Sequence, residues 1–482
     1  MEKKHKGLSA GQLTMMALGT IIGGSFFLGS SVSIHAAGPA VLISYVLGGV
    51  LVYFILSALS EMTVADPSPG SFRAFASKAF GSGAAFVVGW VYWTGMILAM
   101  SSEAAAVSIL FRRWFPSLSV FLLGSIVITV VTVLNFLGAD RLSKLESSLA
   151  AVKLLAILSF IIIGISLVMG FIKGAPTIGT NVIRKESFIP GGIKSITGSM
   201  LVVIFAYAGF EIIGLAASET DNPEKTIPKA IFYTILALAG LYIVSIIVLL
   251  ILIPTADLNE EISPMVAALN RWGMGWAGNA INIVMITAIL STMLAAMFGM
   301  GRMLRSLVDE GHAPKWLKDK SKVPHRGIVF SGFAMFLALI MGIIIPKIYM
   351  FLISSGGFAL LFTYAVIVAT QIRLRQRYGS PKKGQYHIIG YPYSSWITLI
   401  SLIIIIISMP FISGQTSGLV SGLIIIAFYT FAYMLMKVYK KSEKLKTNSA
   451  IRAKANKLRL STEFSEELTK EHKRINKDVK KR

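Results

Sequence analysis

The stretch Leu18-Gly-Thr-Ile-Ile-Gly-Gly-Ser-Phe-Phe-Leu-Gly-Ser30 lies in the middle of the first long apolar segment, at the depth of a bilayer core. Its glycines favour an interrupted helix, because glycine has no Cβ and loses the most entropy when it is held helical. In lipid, backbone groups freed by an interruption are costly unless a polar partner meets them. The stretch therefore predicts either a polar binding site or a close helix contact, which small residues also allow.

The composition indicates a membrane protein. Of its 482 residues, 55% are hydrophobic and 14% are charged, and the mean hydropathy is +0.72. Soluble domains carry about 25% charged residues. Apolar runs of roughly 20 residues, long enough to cross a bilayer as helices, recur along the chain. We therefore predict an all-α polytopic membrane protein with about twelve transmembrane helices.

Several functional classes are excluded or disfavoured by the composition. The chain has no cysteine, which excludes disulfides, thiolate metal sites and cysteine nucleophiles. Its six histidines lie in loops or at helix ends, without metal-ligand spacing. We predict no metal, no cofactor and no enzymatic activity. The net charge of +23 resides mostly in short loops and the tail, which indicates membrane orientation rather than nucleic-acid binding.

The apolar runs divide the chain into a transmembrane domain, residues 1–439, and a basic tail, residues 440–482. Basic residues concentrate in alternate loops, whereas loops 35–39 and 411–418 have none, so both termini are predicted to be cytoplasmic. The loop before span 6 is a longer, basic exception. The predicted spans cover about residues 12–35, 39–65, 81–110, 118–138, 148–172, 196–217, 228–253, 276–304, 328–345, 348–372, 396–411 and 418–438.

A second interruption is predicted in span 6, at Phe205-Ala-Tyr-Ala-Gly-Phe-Glu-Ile-Ile-Gly214. It falls five spans after the first, and an odd offset inverts the orientation in the membrane. Interrupted helices at matching positions of two inverted halves are typical of secondary transporter sites. The halves would be residues 12–172 and 196–373, with residues 396–438 as two additional helices.

Two interrupted helices offer complementary partners for a zwitterion. Free carbonyl groups attract a cation, and free N–H groups attract an anion. This pattern suits an amino acid, although other small charged solutes would also fit. The predicted substrate-binding residues are Ile22, Gly23, Gly24, Ser25 and Phe26 in span 1, and Phe205, Ala206, Tyr207, Ala208, Gly209 and Phe210 in span 6.

Three ionisable residues lie within predicted spans: Glu103, Lys153 and Glu211. Each costs about 2.5–3.5 kcal/mol at a helix centre on insertion scales. Such residues are candidates for proton coupling, and the alternative is a structural ion pair or an interhelical hydrogen bond.

An ordered set of motifs resembles the amino acid–polyamine–organocation superfamily, and more narrowly its bacterial amino acid transporter family of permeases. The resemblance covers about Leu8 to Tyr439. Its central motif is Glu219-Thr-Asp-Asn-Pro-Glu-Lys-Thr-Ile-Pro228. The other parts are Gly19 to Ser30, Gly89-Trp-Val-Tyr-Trp93, Glu103, Trp114-Phe-Pro116, Glu146 to Lys153, Phe205 to Glu211, Gly301-Arg-Met-Leu304 and Asp309 to Lys315.

The resemblance implies a five-plus-five inverted-repeat fold and proton-coupled uptake of amino acids. It implies that the span 1 glycines bind the substrate carboxylate, that span 6 carbonyls bind the amine, and that Lys153 lies against the span 1 interruption. The family usually has Gly-x-Gly where this chain has Gly23-Gly24-Ser25. The Ser25 hydroxyl would either donate to a carboxylate or alter the pocket, so the substrate's side chain stays open.

The resulting prediction is a multi-pass permease of the cell membrane that imports amino acids by proton symport. An amino acid or polyamine exchanger on the same fold is the first alternative, and an amino-acid-sensing membrane protein is the second. The expected partners are an amino acid, a proton and membrane lipid, with no nucleic acid. The tail is either a solvated extension or a segment that adheres to anionic lipid.

Overall fold

In the computed structural model of the chain, all regular secondary structure of the described residues is helical. The structure describes residues 8–66, 71–172, 181–184, 186–211, 213, 220, 222–258, 262–319, 321, 323–344, 348–381 and 385–440. The basic tail lies outside the described residues, and so does most of span 6 after residue 211. In the motif at residues 219–228, positions 219 and 221 also lie outside them.

Each predicted span contains helix, although span 6 is helical only as far as Ala206 before its interruption, and short helices lie between some of the spans. They are α1 (Ala10–Ile21), α2 (Gly24–Phe27), α3 (Gly29–Ala37), α4 (Val41–Ala65), α5 (Ser71–Phe80), α6 (Ser82–Phe111), α7 (Val120–Leu134), α8 (Ala139–Val168), α9 (Asn181–Arg184), α10 (Ile193–Ala206), α11 (Pro223–Leu252), α12 (Pro264–Arg271), α13 (Gly275–Asp309), α14 (His325–Ile344), α15 (Ile348–Tyr378), α16 (Tyr393–Ser408) and α17 (Thr416–Lys440).

Local sequence signals explain where the first helices begin and end. Ser9 caps α1 through a capping box with Gln12, whose side chain accepts from the Ser9 N–H at 2.9 Å. Span 1 is not one helix, because α1 ends at Ile21 and Gly23 has an extended backbone. Gly38, with φ of +58°, ends α3 in a conformation that favours glycine.

The apolar surfaces identify a multi-pass membrane protein. Nine helical segments in the described part of the chain are long and apolar enough to cross a membrane. On α16, Ile397, Ile400, Ile404 and Ile407 are each at least half exposed, whereas Leu402 and Ile405 are buried. This helix is apolar on the face that packs against the protein and also on the exposed face. An exposed apolar face of this kind is typical of a helix that contacts lipid.

The chain contains two compact units, Met1–Ile426 and Ala427–Arg482. Within the first unit, α6 packs against α15 and α13, while α8 packs against α13 and α1. The short α2 and the following α3 pack against α10. The interruption between α1 and α2 therefore lies among the helices of spans 3, 5, 6 and 8.

Candidate functional site

The first interruption separates α1 from α2 at Ile22 and Gly23. The last intrahelical bond of α1 is donated by the Ile22 N–H to the Leu18 carbonyl, at 3.3 Å. The chain is extended at Gly23 and becomes helical again at Gly24. Both glycines and Ser25 are buried. The sequence places this interruption near residues 23–25, and the structure places it one to two residues earlier.

The second interruption follows α10. The helix ends at Ala206, and Tyr207 to Phe210 form turns in which the Ala208 N–H donates to the Phe205 carbonyl at 3.1 Å. Gly209 has φ of +106°, a conformation that side chains rarely adopt. Both interruptions that the glycines predict are thus present.

The last turn of α1, directly before the first interruption, contacts the second interruption. The Thr20 hydroxyl donates to the Gly209 carbonyl at 3.4 Å. A Cβ on Gly209 would lie 3.2 Å from the Thr20 carbonyl oxygen, which is close for any side chain. Spans 1 and 6 therefore meet where the last turn of α1 contacts the non-helical backbone at Gly209, and these two residues are 189 positions apart in sequence.

Glu103 of α6 occupies the N–H groups at the start of α2. Its carboxylate accepts from the Gly24 N–H at 2.7 Å and from the Ser25 N–H at 3.3 Å. Two adjacent backbone N–H groups aimed at one carboxylate form an anion site. The Ser25 side chain does not prevent this, because the contact uses its backbone.

Lys153 of α8 meets the other side of the same interruption. Its ammonium donates to the Gly19 carbonyl at 2.5 Å, and its side chain is fully buried. A carbonyl near the end of α1 is a natural partner for a cation, because carbonyls in the last turn of a helix lack intrahelical donors. The structure thus places Lys153 against the span 1 interruption.

Hydroxyl groups satisfy further backbone groups of the interruptions. The Tyr242 hydroxyl donates to the Ala206 carbonyl at 3.1 Å, at the end of α10. The Tyr349 hydroxyl donates to the Gly24 carbonyl at 3.4 Å. Sequence reasoning did not select these tyrosines. A phenol within an apolar span is the available signal, because tyrosine is otherwise enriched at membrane interfaces.

Glu211 accepts hydrogen bonds at the end of the second interruption. Its carboxylate accepts from the Gly209 N–H at 3.0 Å and from the Tyr364 hydroxyl at 2.6 Å, and the residue is 2% exposed. It is therefore bonded to its own turn and to α15, and Glu103 and Lys153 are bonded to span 1.

The aromatic candidates pack in two separate places. Phe26 stacks on Tyr242 with ring centroids 3.9 Å apart, and Tyr207 donates its hydroxyl to the Tyr45 carbonyl at 3.1 Å. Phe210 packs against Tyr364 instead. Phe26 and Tyr207 thus share one aromatic cluster between spans 1, 2, 6 and 7, and Phe210 lies on the side of span 10. The binding roles of these residues stay predictions.

Comparison with known proteins identifies the fold's family. The sequence profile of the amino acid permease family matches residues 12–449. The γ-aminobutyric acid permease of Bacillus subtilis (strain 168) is 31% identical over 449 residues, covering 92% of this chain and 96% of the relative. The chain belongs to the amino acid permease family.

Two further relatives are named for γ-aminobutyric acid and for aromatic amino acids. The γ-aminobutyric acid permease of Escherichia coli (strain K12) is 32% identical, covering 86% of this chain and 90% of the relative. The aromatic amino acid transport protein AroP of Escherichia coli O157:H7 is 30% identical, and the match covers 86% of this chain and 92% of the relative. The chain is therefore an amino acid transporter of the amino acid–polyamine–organocation superfamily, not an enzyme.

Two polar clusters of the permease lie away from the interruptions, and the sequence did not indicate them. Glu61 of α4 is 5% exposed and accepts from Gln371 at 2.8 Å, from Arg375 at 3.0 Å and from the Ile388 N–H at 2.7 Å. Nearby, burial raises the pKa of Tyr386 to about 12, so its phenol stays a neutral donor.

The second cluster surrounds Arg73, which is 3% exposed. Its guanidinium donates to Ser306 at 2.7 Å and to Glu310 at 2.8 Å. Nε2 of His312 lies 2.9 Å from the Ser82 hydroxyl oxygen. The backbone carbonyl of His312 accepts a hydrogen bond from the Trp90 indole N–H. This cluster ties α5 to the end of α13 and to the start of α6.

Proposed function

We propose that this permease imports amino acids across the cytoplasmic membrane by proton symport, with both termini in the cytoplasm. The observation that carries the proposal is the buried contact between the Lys153 ammonium and the Gly19 carbonyl, at 2.5 Å. While it is protonated, the Lys153 ammonium repels a sodium ion and satisfies the carbonyl that a sodium ion would need. The proton is then the simplest driving ion.

The substrate carboxylate is proposed to bind the Gly24 and Ser25 N–H groups. Glu103 supports this assignment, because a carboxylate already accepts from both groups, at 2.7 and 3.3 Å. The substrate ammonium would then face the carbonyl end of α10, where Ala206 now accepts from Tyr242. An α-amino acid carries both charges on one carbon, and the packing of α2 against α10 supports binding of both charges by one substrate.

Competition for the N–H pair is the proposed coupling step. A substrate carboxylate can take the pair only if Glu103 leaves it, and two carboxylates held side by side repel each other. Protonated Glu103 gives up the N–H groups more readily, because a neutral carboxyl is a weaker acceptor than a carboxylate. Lys153 and Glu211 complete the set of candidate coupling groups, one at each interruption.

The test is uptake of radiolabelled amino acids into proteoliposomes that contain the purified permease. We expect a pH gradient to drive accumulation, and replacing sodium with potassium to leave it unchanged. Competition by the common amino acids would then give the substrate class. Exchange without net uptake would instead require a counter-substrate inside the vesicles, so counterflow measured beside net uptake separates symport from exchange.

The variant Lys153→Ala is expected to lose accumulation driven by the pH gradient more severely than binding. Lys194→Ala serves as the matched control, because Lys194 is exposed at the start of α10. Sodium-dependent uptake by the unmodified protein, or full proton-driven accumulation by Lys153→Ala, would contradict the proposal.

A further inference from the structure

A basic cleft lies away from the interruptions, where the end of α5 faces the last turns of α15. This open cleft has a volume of about 640 Å³ and is lined by residues 77–81, Arg373 and Arg377. Lys78, Arg373 and Arg377 bring three positive charges to the cleft, and none of the described residues that line it is acidic. Its electrostatic character therefore favours an anion.

The two arginines occupy the same face of α15, one helical turn apart. Like charges at this spacing repel each other along a helix. Among the described residues, no carboxylate lies within ion-pair distance of either arginine. Asp66 forms an ion pair with Lys78, so the cleft has an excess of positive charge after that pair is counted. An anion between the arginines would relieve their repulsion.

Arg377 is already held toward the cleft wall. One of its N–H groups donates to the Lys78 carbonyl at 3.4 Å, and its guanidinium lies 5.6 Å from the Tyr378 ring centroid. A guanidinium has five N–H donors in a planar fork that matches two oxygens of a phosphate group. The cleft thus combines a positioned arginine with two further cations.

Exposed aromatic side chains flank this cleft. Phe80 is 49% exposed and Tyr378 is 67% exposed, each at the end of a helix. Aromatic residues at such positions are typical of the boundary between hydrocarbon and water. We propose that the cleft binds a phosphate group, carried either by an anionic phospholipid headgroup or by a soluble phosphate compound.

The test uses the purified full-length protein in neutral detergent and measures its unfolding temperature. Phosphatidylglycerol is titrated in one series, and inorganic phosphate and glycerol phosphate are titrated in two others. We expect phosphatidylglycerol, the soluble phosphates or both to raise the unfolding temperature with saturation. A response to phosphatidylglycerol alone identifies a lipid headgroup as the source, and a response to the soluble phosphates identifies a free phosphate compound.

The double variant Arg373→Gln with Arg377→Gln is expected to weaken the apparent affinity roughly tenfold or more. Arg373→Gln alone should give an intermediate loss. The matched control is Arg302→Gln with Lys315→Gln, which removes two exposed basic groups at the end of α13 and beyond it. The unfolding temperature without any anion shows whether each variant is folded.

Equal losses in the cleft variant and the control would overturn the proposal, because they would indicate a general charge effect. Absence of any response to all three phosphate compounds would overturn it as well. The readout does not use transport, so this result is independent of the proposed proton symport.

Discussion

Gly24 illustrates how a single position shapes the site. A Cβ at this residue would lie 2.7 Å from Oε2 of Glu103, 3.2 Å from Cβ of Ala106 and 3.2 Å from Cδ1 of Ile289. The backbone at Gly24 is helical, so its need for glycine comes from the close approach of the carboxylate and not from an unusual φ. Ser25, one residue later, carries a side chain and still donates its N–H to Glu103.

At the residue scale we expect Gly24→Ala to weaken amino acid binding about tenfold or more. The added methyl group would push Glu103 and any substrate carboxylate off the N–H pair, and such overpacking costs about 1–3 kcal/mol, where 1.4 kcal/mol corresponds to tenfold. Equilibrium binding of a radiolabelled substrate to the purified protein measures the effect.

Gly240→Ala on α11 is the control for this prediction, because a Cβ there meets nothing within 4 Å. It should leave affinity unchanged and give slightly higher stability, since alanine is the better helix former. Unchanged affinity in Gly24→Ala would show that the substrate carboxylate binds elsewhere.

At the scale of elements, side chains from three other helices form hydrogen bonds with the backbone N–H and carbonyl groups at the interruptions. Lys153 of α8 bonds the end of α1, Glu103 of α6 bonds the start of α2, and Tyr242 of α11 bonds the end of α10. A broken helix in a membrane is stable only when such partners are present, because lipid provides none. These three helices therefore each have a specific polar role in addition to their packing.

We expect Tyr242→Phe to destabilise the protein by roughly 1–3 kcal/mol. The substitution keeps the ring that stacks on Phe26 and removes only the hydroxyl that donates to the Ala206 carbonyl. A buried carbonyl that loses its donor bears the cost of desolvation without compensation. The free energy of unfolding, measured in detergent, tests this expectation.

Tyr233→Phe provides a comparison within the same helix, because Tyr233 is 49% exposed. Its hydroxyl can exchange partners with solvent or headgroups, so the free energy of unfolding should change little. Equal effects of the two substitutions would mean that the Ala206 contact contributes nothing.

At the scale of the whole molecule, polar clusters fasten distant helices to one another. Glu61 joins α4 to α15 and to the segment before α16 through Gln371, Arg375 and the Ile388 N–H. Arg73 joins α5 to the end of α13. Both clusters contain buried charges, which require nearly complete pairing.

We expect Glu61→Gln to destabilise the protein by about 3–5 kcal/mol, the usual cost of breaking a buried pair. The side chains of Glu61 and Arg375 are 6% and 10% exposed, so the arginine would keep a buried charge without its partner. The N–H₂ group of the new amide would also face Gln371, Arg375 and the Ile388 N–H, which are all hydrogen-bond donors. Chemical unfolding in detergent gives the magnitude.

Asp257→Asn is the matched surface substitution. Asp257 pairs with Arg271 at 2.7 Å, with side chains 50% and 42% exposed, and such pairs contribute about 0–1 kcal/mol. A loss in Glu61→Gln no larger than this one would refute a structural role for the Glu61 cluster.

Glu310, just after α13, is expected to make stability depend on pH. Partial burial raises the pKa of its carboxyl, but His312 and Arg73 outweigh burial, so the pKa lies below its ordinary value of 4.5. A lowered pKa gives a stabilisation that is complete above the ordinary value and is lost as the pH falls through the lower, folded value. Unfolding temperatures below pH 5 should therefore decline less steeply in Glu310→Gln. The same slope in the variant and the parent would contradict this assignment.

The sequence by itself determined the helical membrane fold, the positions of both interruptions to within one or two residues, and three of the buried ionisable residues, Glu103, Lys153 and Glu211. These follow from local properties: apolar run length, glycine clustering and the cost of charge in lipid. The family resemblance added that Lys153 lies against span 1.

Only the tertiary structure decided which groups meet. Glu103 takes the Gly24 and Ser25 N–H groups, Tyr242 takes the Ala206 carbonyl, and Glu61 pairs with Arg375. Such pairings depend on how helices distant in sequence are rotated and packed. Hydropathy does not encode that rotation, because a helix buried on most sides shows little apolar periodicity.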